Sequence, residues 1–284
     1  MDKDIELFNT NYLLEVFTNN LYRIIVFSFF ISFLSLVSSF LFQKSYMSEA
    51  TIISSSSSDF SSNLDGVTDL LGLGGARSTD RKVVEAVATL QSRDFISNFL
   101  MKYGLVDYVL KNSKIDIEKL RQPKNFSTRD NSLDKSKIDE LTSKFKKKFI
   151  SIDQTDKDGL IILSLSAKKA EHSQIVLSLI IKELEQTMKN RYLKDKENTM
   201  LSLERILIES QDNATKKIVQ RIYNNEQSAF ISGKTKENLI FEIIDAPHLP
   251  GKFYFPSRLR FLIFGFIFGF IFSYIYFFRK RTII

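Results

Sequence analysis

The sequence predicts an α+β membrane protein, with two terminal transmembrane helices flanking a ferredoxin-like, split β-α-β periplasmic base that bears a long protruding α-helix. Three observations lead there. Two uncharged runs, 24–42 and 261–278, lie near the chain ends and hold 14 of the 26 Phe. Between them the chain is polar, with 35 basic and 29 acidic residues in 44–260. Along that stretch the apolar patterns read strand, helices, strand, strand, long helix, strand, which is the split βαβ order.

Residues 1–23 form an N-terminal tail. The run 24–42 follows, bounded by Arg23 and Lys44. Nineteen residues rising about 1.5 Å each reach roughly 28 Å, close to the hydrocarbon thickness of a bilayer. The run is longer than a signal-peptide core, and no small-x-small pattern follows at Gln43-Lys44-Ser45-Tyr46, so we expect a retained anchor. The second run, 261–278, lies between Arg258, Arg260 and Arg279-Lys280-Arg281. Lys and Arg near the spans number five on the tails and four on the domain side. The compact Arg279-Lys280-Arg281 decides the orientation, since basic residues stay on the cytoplasmic side and a long loop translocates regardless of its charge. Both tails, 1–23 and 279–284, are then cytoplasmic, and 43–260 is periplasmic on a bacterial inner membrane.

Within the domain, 48–54 alternates and is β-branched, which predicts a strand. A Ser-rich segment and Gly72, Gly74 and Gly75 then predict a loop. Apolar residues at helical spacing follow in 80–90, 92–101 and 105–110, and again in 132–149 after a polar loop. Strands are expected at 149–153 and 160–166, joined by a turn ending in Asp158-Gly159, a strong hairpin signal. From Leu160 to Ser232 there is neither Gly nor Pro. A helix over about 170–230 would be on the order of 90 Å long, with a break near Gln211-Asp212-Asn213. A final strand is expected at 239–244. Pro247, Pro250 and Pro256 then make 246–256 a stiff extended strut, because Pro fixes φ and removes a donor.

The composition excludes much chemistry. Without Cys there are no disulfides, thiolate nucleophiles or Cys-held metals, and two His leave little for proton transfer. We expect no catalytic, metal or cofactor site. Ser228 to Thr235 ends like a P-loop, but Ser228 replaces the first Gly and a helix precedes it where a strand is needed. The segment from Gln154 to Gly159 is similar to a calcium loop, yet Gln154 and Leu165 stand where two ligands are required, so a hairpin turn is the better reading. His172 and His248 are read as surface residues. The charges are interspersed, which does not support nucleic-acid binding. Gly265 and Gly269 lie four apart in the second run and allow close approach of another helix in lipid. Ser28, Ser32, Ser35 and Ser39 give the first run similar small-residue steps.

Several segments together resemble one family. Asp4-Ile5-Glu6-Leu7 precedes the first span, and Tyr46-Met47-Ser48-Glu49-Ala50 opens the strand after it. Leu90-Gln91-Ser92-Arg93 is similar to an "L-x-S-R" helix motif, with Ser92 and Arg93 the motif positions. Ile244-Asp245-Ala246-Pro247, then Pro250, Pro256 and a Gly-bearing span, complete the order. The chain resembles the Wzz-type chain length determinants, the polysaccharide co-polymerases. The resemblance implies a non-enzymatic inner-membrane protein that forms ring-like homo-oligomers. It implies action with a Wzy-type polymerase on lipid-linked polysaccharide, such as O-antigen, to set its chain length. Two other layouts share the two spans: a scaffold beside an ABC transporter for capsule export, and a two-span sensor, for which the tails offer no output module.

Overall fold

Residues 10–39 contain neither Gly nor Pro, and they form one helix, α1 (Thr10–Ser39). The computed structural model describes residues 10–55, 78–111, 120, 135–155 and 160–283. The motif at 4–7, the Ser- and Gly-rich loop, most of the polar loop before the 132–149 helix, and Asp156, Asp158 and Gly159 lie outside the described residues. The chain divides into two compact units, Met1–Tyr46 with Lys252–Ile284, and Met47–Gly251.

The first unit is a pair of packed helices, α1 and the last helix, α8 (Arg258–Ile283), whose intervening elements are named below. Each contains a 20-residue stretch apolar enough to cross a membrane, Asn20–Ser39 and Arg258–Phe277. Only 17% of each stretch is buried, whereas a core helix of a soluble protein is mostly buried. The protein is a two-pass membrane protein. Helix α1 ends three residues before the end of the uncharged run at 42. Phe40 and Leu41 donate to Val37 and Ser38 at 3.1 and 3.0 Å, the tightened i→i−3 bonds of a closing turn. Phe42 leaves the helix and meets Phe261 at 5.4 Å. Helix α8 begins at Arg258, before the uncharged run opens at 261.

The second unit holds a four-stranded sheet. β1 (Tyr46–Ser54) alternates inward, burying Ser48, Ala50, Ile52 and Ser54. Helices α2 (Ser78–Gln91), α3 (Arg93–Lys102) and α4 (Val106–Lys111) follow. α3 ends in a Schellman motif: Gly104 has φ 66°, its N–H reaches Met101 O, and Leu105 N–H reaches Leu100 O at 2.8 Å. A side chain at Gly104 would be strained in that left-handed conformation. α5 (Lys135–Lys148) leads into the hairpin of β2 (Ile150–Thr155) and β3 (Leu160–Ala167), paired antiparallel with Ile150 opposite Leu165. The order across the sheet is β2-β3-β1-β4, and β4 (Phe241–Asp245) runs antiparallel to β1. The core joins Ile52, Ile161 and Leu163 of the sheet to Leu177, Ile180 and Leu184 of the long helix and to Phe99 of α3.

The helix expected over about 170–230, with a break near Gln211-Asp212-Asn213, is two helices. α6 (Ala170–Glu209) is 40 residues, about 60 Å at 1.5 Å per residue. α7 (Asn213–Thr235) packs back along it. The reversal has a local cause. Ser210 and Asp212 both adopt extended backbone, and the Asp212 carboxylate accepts from Ala214 N–H and Thr215 N–H at 3.2 and 2.9 Å. Asp212 is therefore an N-cap that starts a new helix. Lys196 pairs with Glu226 at 2.7 Å across the two helices, and Gly233 sits where a Cβ would meet Leu193 and Tyr192 at 3.1 and 3.2 Å.

Candidate functional site

The small residues of the two spans meet each other. A Cβ on Gly265 would lie 2.5 Å from Ser35 Cβ and 2.9 Å from Ser32 Cα. One on Gly269 would lie 2.9 Å from Ser28 Cα and 3.1 Å from Ser28 O. Backbone atoms are among the obstacles, so no side-chain rotation relieves these contacts. The close approach brings hydroxyls within reach of carbonyls. Ser32 Oγ donates to Leu262 O and Ser35 Oγ to Phe261 O, both at 2.8 Å. Ser28 Oγ donates within its own helix to Ile24 O at 2.6 Å. Phe29 and Phe266 add an edge contact at 5.3 Å. In lipid, where apolar surface gives no net drive, such packing and hydrogen bonds are what hold helices together.

Just beyond the spans the two flanking segments pair. Ser45 N–H donates to Phe255 O at 2.9 Å, and Tyr254 N–H donates to Ser45 O at 2.8 Å. The three strut prolines divide between the units. Pro256 is buried beside this pairing, with a cis bond from Phe255. Pro250 is buried in the other unit, and the Pro247 carbonyl accepts from Gln174 Nε2 at 3.0 Å.

Ser92 and Arg93 have structural partners. Ser92 Oγ caps α3, accepting from Phe95 N–H at 3.1 Å. Arg93 pairs with Asp139 of α5 at 2.8 Å, with both side chains about half exposed. Farther along α3, Lys102 pairs with Glu183 of α6 at 2.6 Å. Tyr103 also donates to Glu183, and burial first, then that carboxylate, pushes its hydroxyl up to about 12.

Glu185 is a residue that sequence reasoning missed. It is 9% exposed, and its two oxygens accept from Leu239, Ile240 and Phe241 N–H at 2.7, 2.9 and 3.0 Å. A buried carboxylate thus satisfies three main-chain donors where the chain enters β4. Lys82 lies nearby. Burial lowers its pKa and the Glu185 charge raises it. The signal was available, because Glu185 sits next to Leu184 on the buried face marked by Leu177, Ile181 and Met188. His172, expected at the surface, is 4% exposed. Burial first, then Lys169, lowers its pKa, while Glu171 raises it. His248 is exposed, and its carbonyl accepts from Ser48 Oγ at 2.8 Å.

An open groove of about 690 Å³ lies between α6 and β4, lined by Lys182, Gln186, Lys189, Asn238, Phe241 and Ile243 among others. Among the described residues no group of three or more His, Asp or Glu side chains could hold a metal ion. Ser228 to Thr235, the P-loop-like segment, is helical throughout and offers no cradle of free N–H groups.

Apolar side chains on the helix pair remain uncovered in one copy of the chain. Ile208 is 79% exposed and Ile218 61%, with Leu201, Ile206 and Ile231 also outward. The β4 edge adds Ile243 and Ile244.

No protein-family profile matches the chain, and no curated protein resembles it in sequence. Among solved structures it is similar to a full-length bacterial polysaccharide co-polymerase, at 12% identity over 95% of this chain and 96% of that one, with a TM-score of 0.39. It is similar to a fragment of WzzB, a polysaccharide co-polymerase from Salmonella Typhimurium, at 16% identity over 74% and 98%, with a TM-score of 0.33. The third is a point variant of the Shigella flexneri lipopolysaccharide O-antigen chain-length regulator WzzBSF, at 12% identity over 74% and 100%, with a TM-score of 0.26.

Proposed function

We propose that the chain is a non-enzymatic regulator of surface-polysaccharide chain length. It works as a ring-like homo-oligomer beside a Wzy-type polymerase on lipid-linked polysaccharide. The observation that carries this reading is the set of exposed apolar side chains on the α6–α7 pair together with the motif order along the chain. A helix pair with Ile208 and Ile218 in solvent is incomplete alone, and a second copy would cover it. Within this reading the α/β unit is a ferredoxin-like base, supported by the order β2-β3-β1-β4 with antiparallel β1–β4 and β2–β3 pairs. Pro247, Pro250 and Pro256 form the strut into the second span. Both termini are cytoplasmic and the domain is periplasmic on the inner membrane, supported by Arg279-Lys280-Arg281. A reporter fused near residue 150 should be active only as a periplasmic tag.

The length-control reading is tested by deleting the chain from its host and resolving the extracted polysaccharide on a gel. Synthesis should continue while the preferred length disappears. Loss of surface polysaccharide altogether would instead fit a scaffold beside an ABC transporter, which shares the membrane layout.

A further inference from the structure

From Phe17 to Tyr46 and from Lys252 to Ile284 the sequence contains no Asp or Glu. Every charge in the described part of the two-helix unit beyond residue 16 is therefore positive. Two of these cations are gathered on one ring. Lys44 Nζ stands 5.6 Å from the centre of Phe253, and Arg258 Cζ stands 5.4 Å from the same centre. Arg258 also lies 4.8 Å from the centre of Phe40. The arrangement is braced from behind by the Ser45–Phe255 and Tyr254–Ser45 backbone bonds, which fix the two segments bearing Lys44 and Phe253. Both charged side chains are exposed, and neither has a carboxylate partner among the described residues.

Like charges gathered at one ring repel, and the aromatic ring only partly offsets this. The cations sit at the end of the apolar stretches Asn20–Ser39 and Arg258–Phe277, the depth at which lipid headgroups lie and aromatic residues concentrate. The anion available at that depth is a lipid phosphate. We infer that Lys44 and Arg258, spaced by the Phe253 ring and flanked by Phe40, form a binding site for the phosphate group of an anionic membrane lipid. The guanidinium offers two parallel donors to phosphate oxygens, and the ammonium adds a point charge. The headgroup is that of either an anionic phospholipid or a polyprenyl diphosphate. The site rests on the two-pass layout alone, so a failed test of length control leaves it standing.

The test uses the purified full-length chain in detergent, with retained lipid counted by native mass spectrometry. The probes are phosphatidylglycerol, phosphatidylcholine and a polyprenyl diphosphate. Both anionic lipids should be retained over phosphatidylcholine. Lys44→Gln with Arg258→Gln should lower their retention about thirtyfold, from roughly a kcal/mol per cation. Lys252→Gln with Arg260→Gln removes the same charge beside the site and should change retention by less than about twofold if the attraction is local rather than general. Phe253→Leu keeps every charge and removes the shared ring, and it too should weaken retention. Preference for one anionic lipid over the other identifies the natural headgroup, and either preference supports the site. Equal losses from the two charge pairs, equal retention of phosphatidylcholine, or full retention in Phe253→Leu would each overturn it.

Discussion

Glu185, only 9% exposed, accepts three backbone N–H groups. Replacing it by Ala leaves those donors unpaired, at about 1–3 kcal/mol for each buried group. Glu185→Ala should therefore destabilise the α/β unit by about 3 kcal/mol or more, and Glu185→Gln, which keeps one acceptor oxygen, by about half as much. Denaturant unfolding of the purified protein measures both, and a loss below about 1 kcal/mol for Glu185→Ala would show that the donors find other partners. His172 supplies a pH dependence. Burial lowers its folded pKa below the ordinary 6.5, so the unfolded chain takes up the proton first. Its contribution is fully present above about pH 6.5 and is lost as pH falls through the lower folded value. Melting temperatures in a series from pH 7.5 to pH 5 should fall, and His172→Gln should flatten that part of the profile. A slope unchanged by the substitution would assign it to other groups.

At the scale of elements, the strands and short helices were legible because periodicity and turn residues agree there. β2 and β3 pair antiparallel on either side of the Asp158-Gly159 signal in the sequence, and Ser92 both matches a motif and caps a helix. The helix reversal was only half legible. A break near Gln211-Asp212-Asn213 follows from composition, but whether the second helix continues or folds back depends on partners such as Lys196 and Glu226, thirty residues apart. The cation pair on Phe253 was illegible for the same reason, since its parts come from opposite ends of the chain. The glycines of α8 show a pattern that sequence can find and only structure can interpret. Their neighbours are Ser28, Ser32 and Ser35 of α1 in the same chain. Gly265→Ala should then push the two helices apart and cost about 1–3 kcal/mol, the range for inserting a methyl into a packed interface. Disulfide crosslinking between engineered cysteines on α1 and α8 reads this, and unchanged crosslinking would mean the helices slide without cost. Ile208→Asp with Ile218→Asp should leave the monomer folded, because both sites are exposed, and should dissociate the proposed oligomer. Light scattering of detergent-solubilised protein checks the mass, and an unchanged assembly would place the interface elsewhere.

For the whole molecule, the sequence order makes span one lead into β1 and β4 lead, through the Pro-bearing segment, into span two, and β1 pairs with β4. Both ends of the α/β unit lead in sequence to an apolar span, and self-association would let such a chain act as a scaffold whose size is set by subunit contacts. On this account the chain changes how long the polysaccharide grows and leaves the polymerising chemistry to its partner. The most direct measurement is the polysaccharide size distribution in one host in three states: chain deleted, chain restored, and chain restored with Gly265→Leu and Gly269→Leu. The account predicts a broad distribution in the first, a single preferred length in the second, and a shifted or lost preferred length in the third, with total polysaccharide unchanged throughout. The same distribution with and without the chain would contradict it.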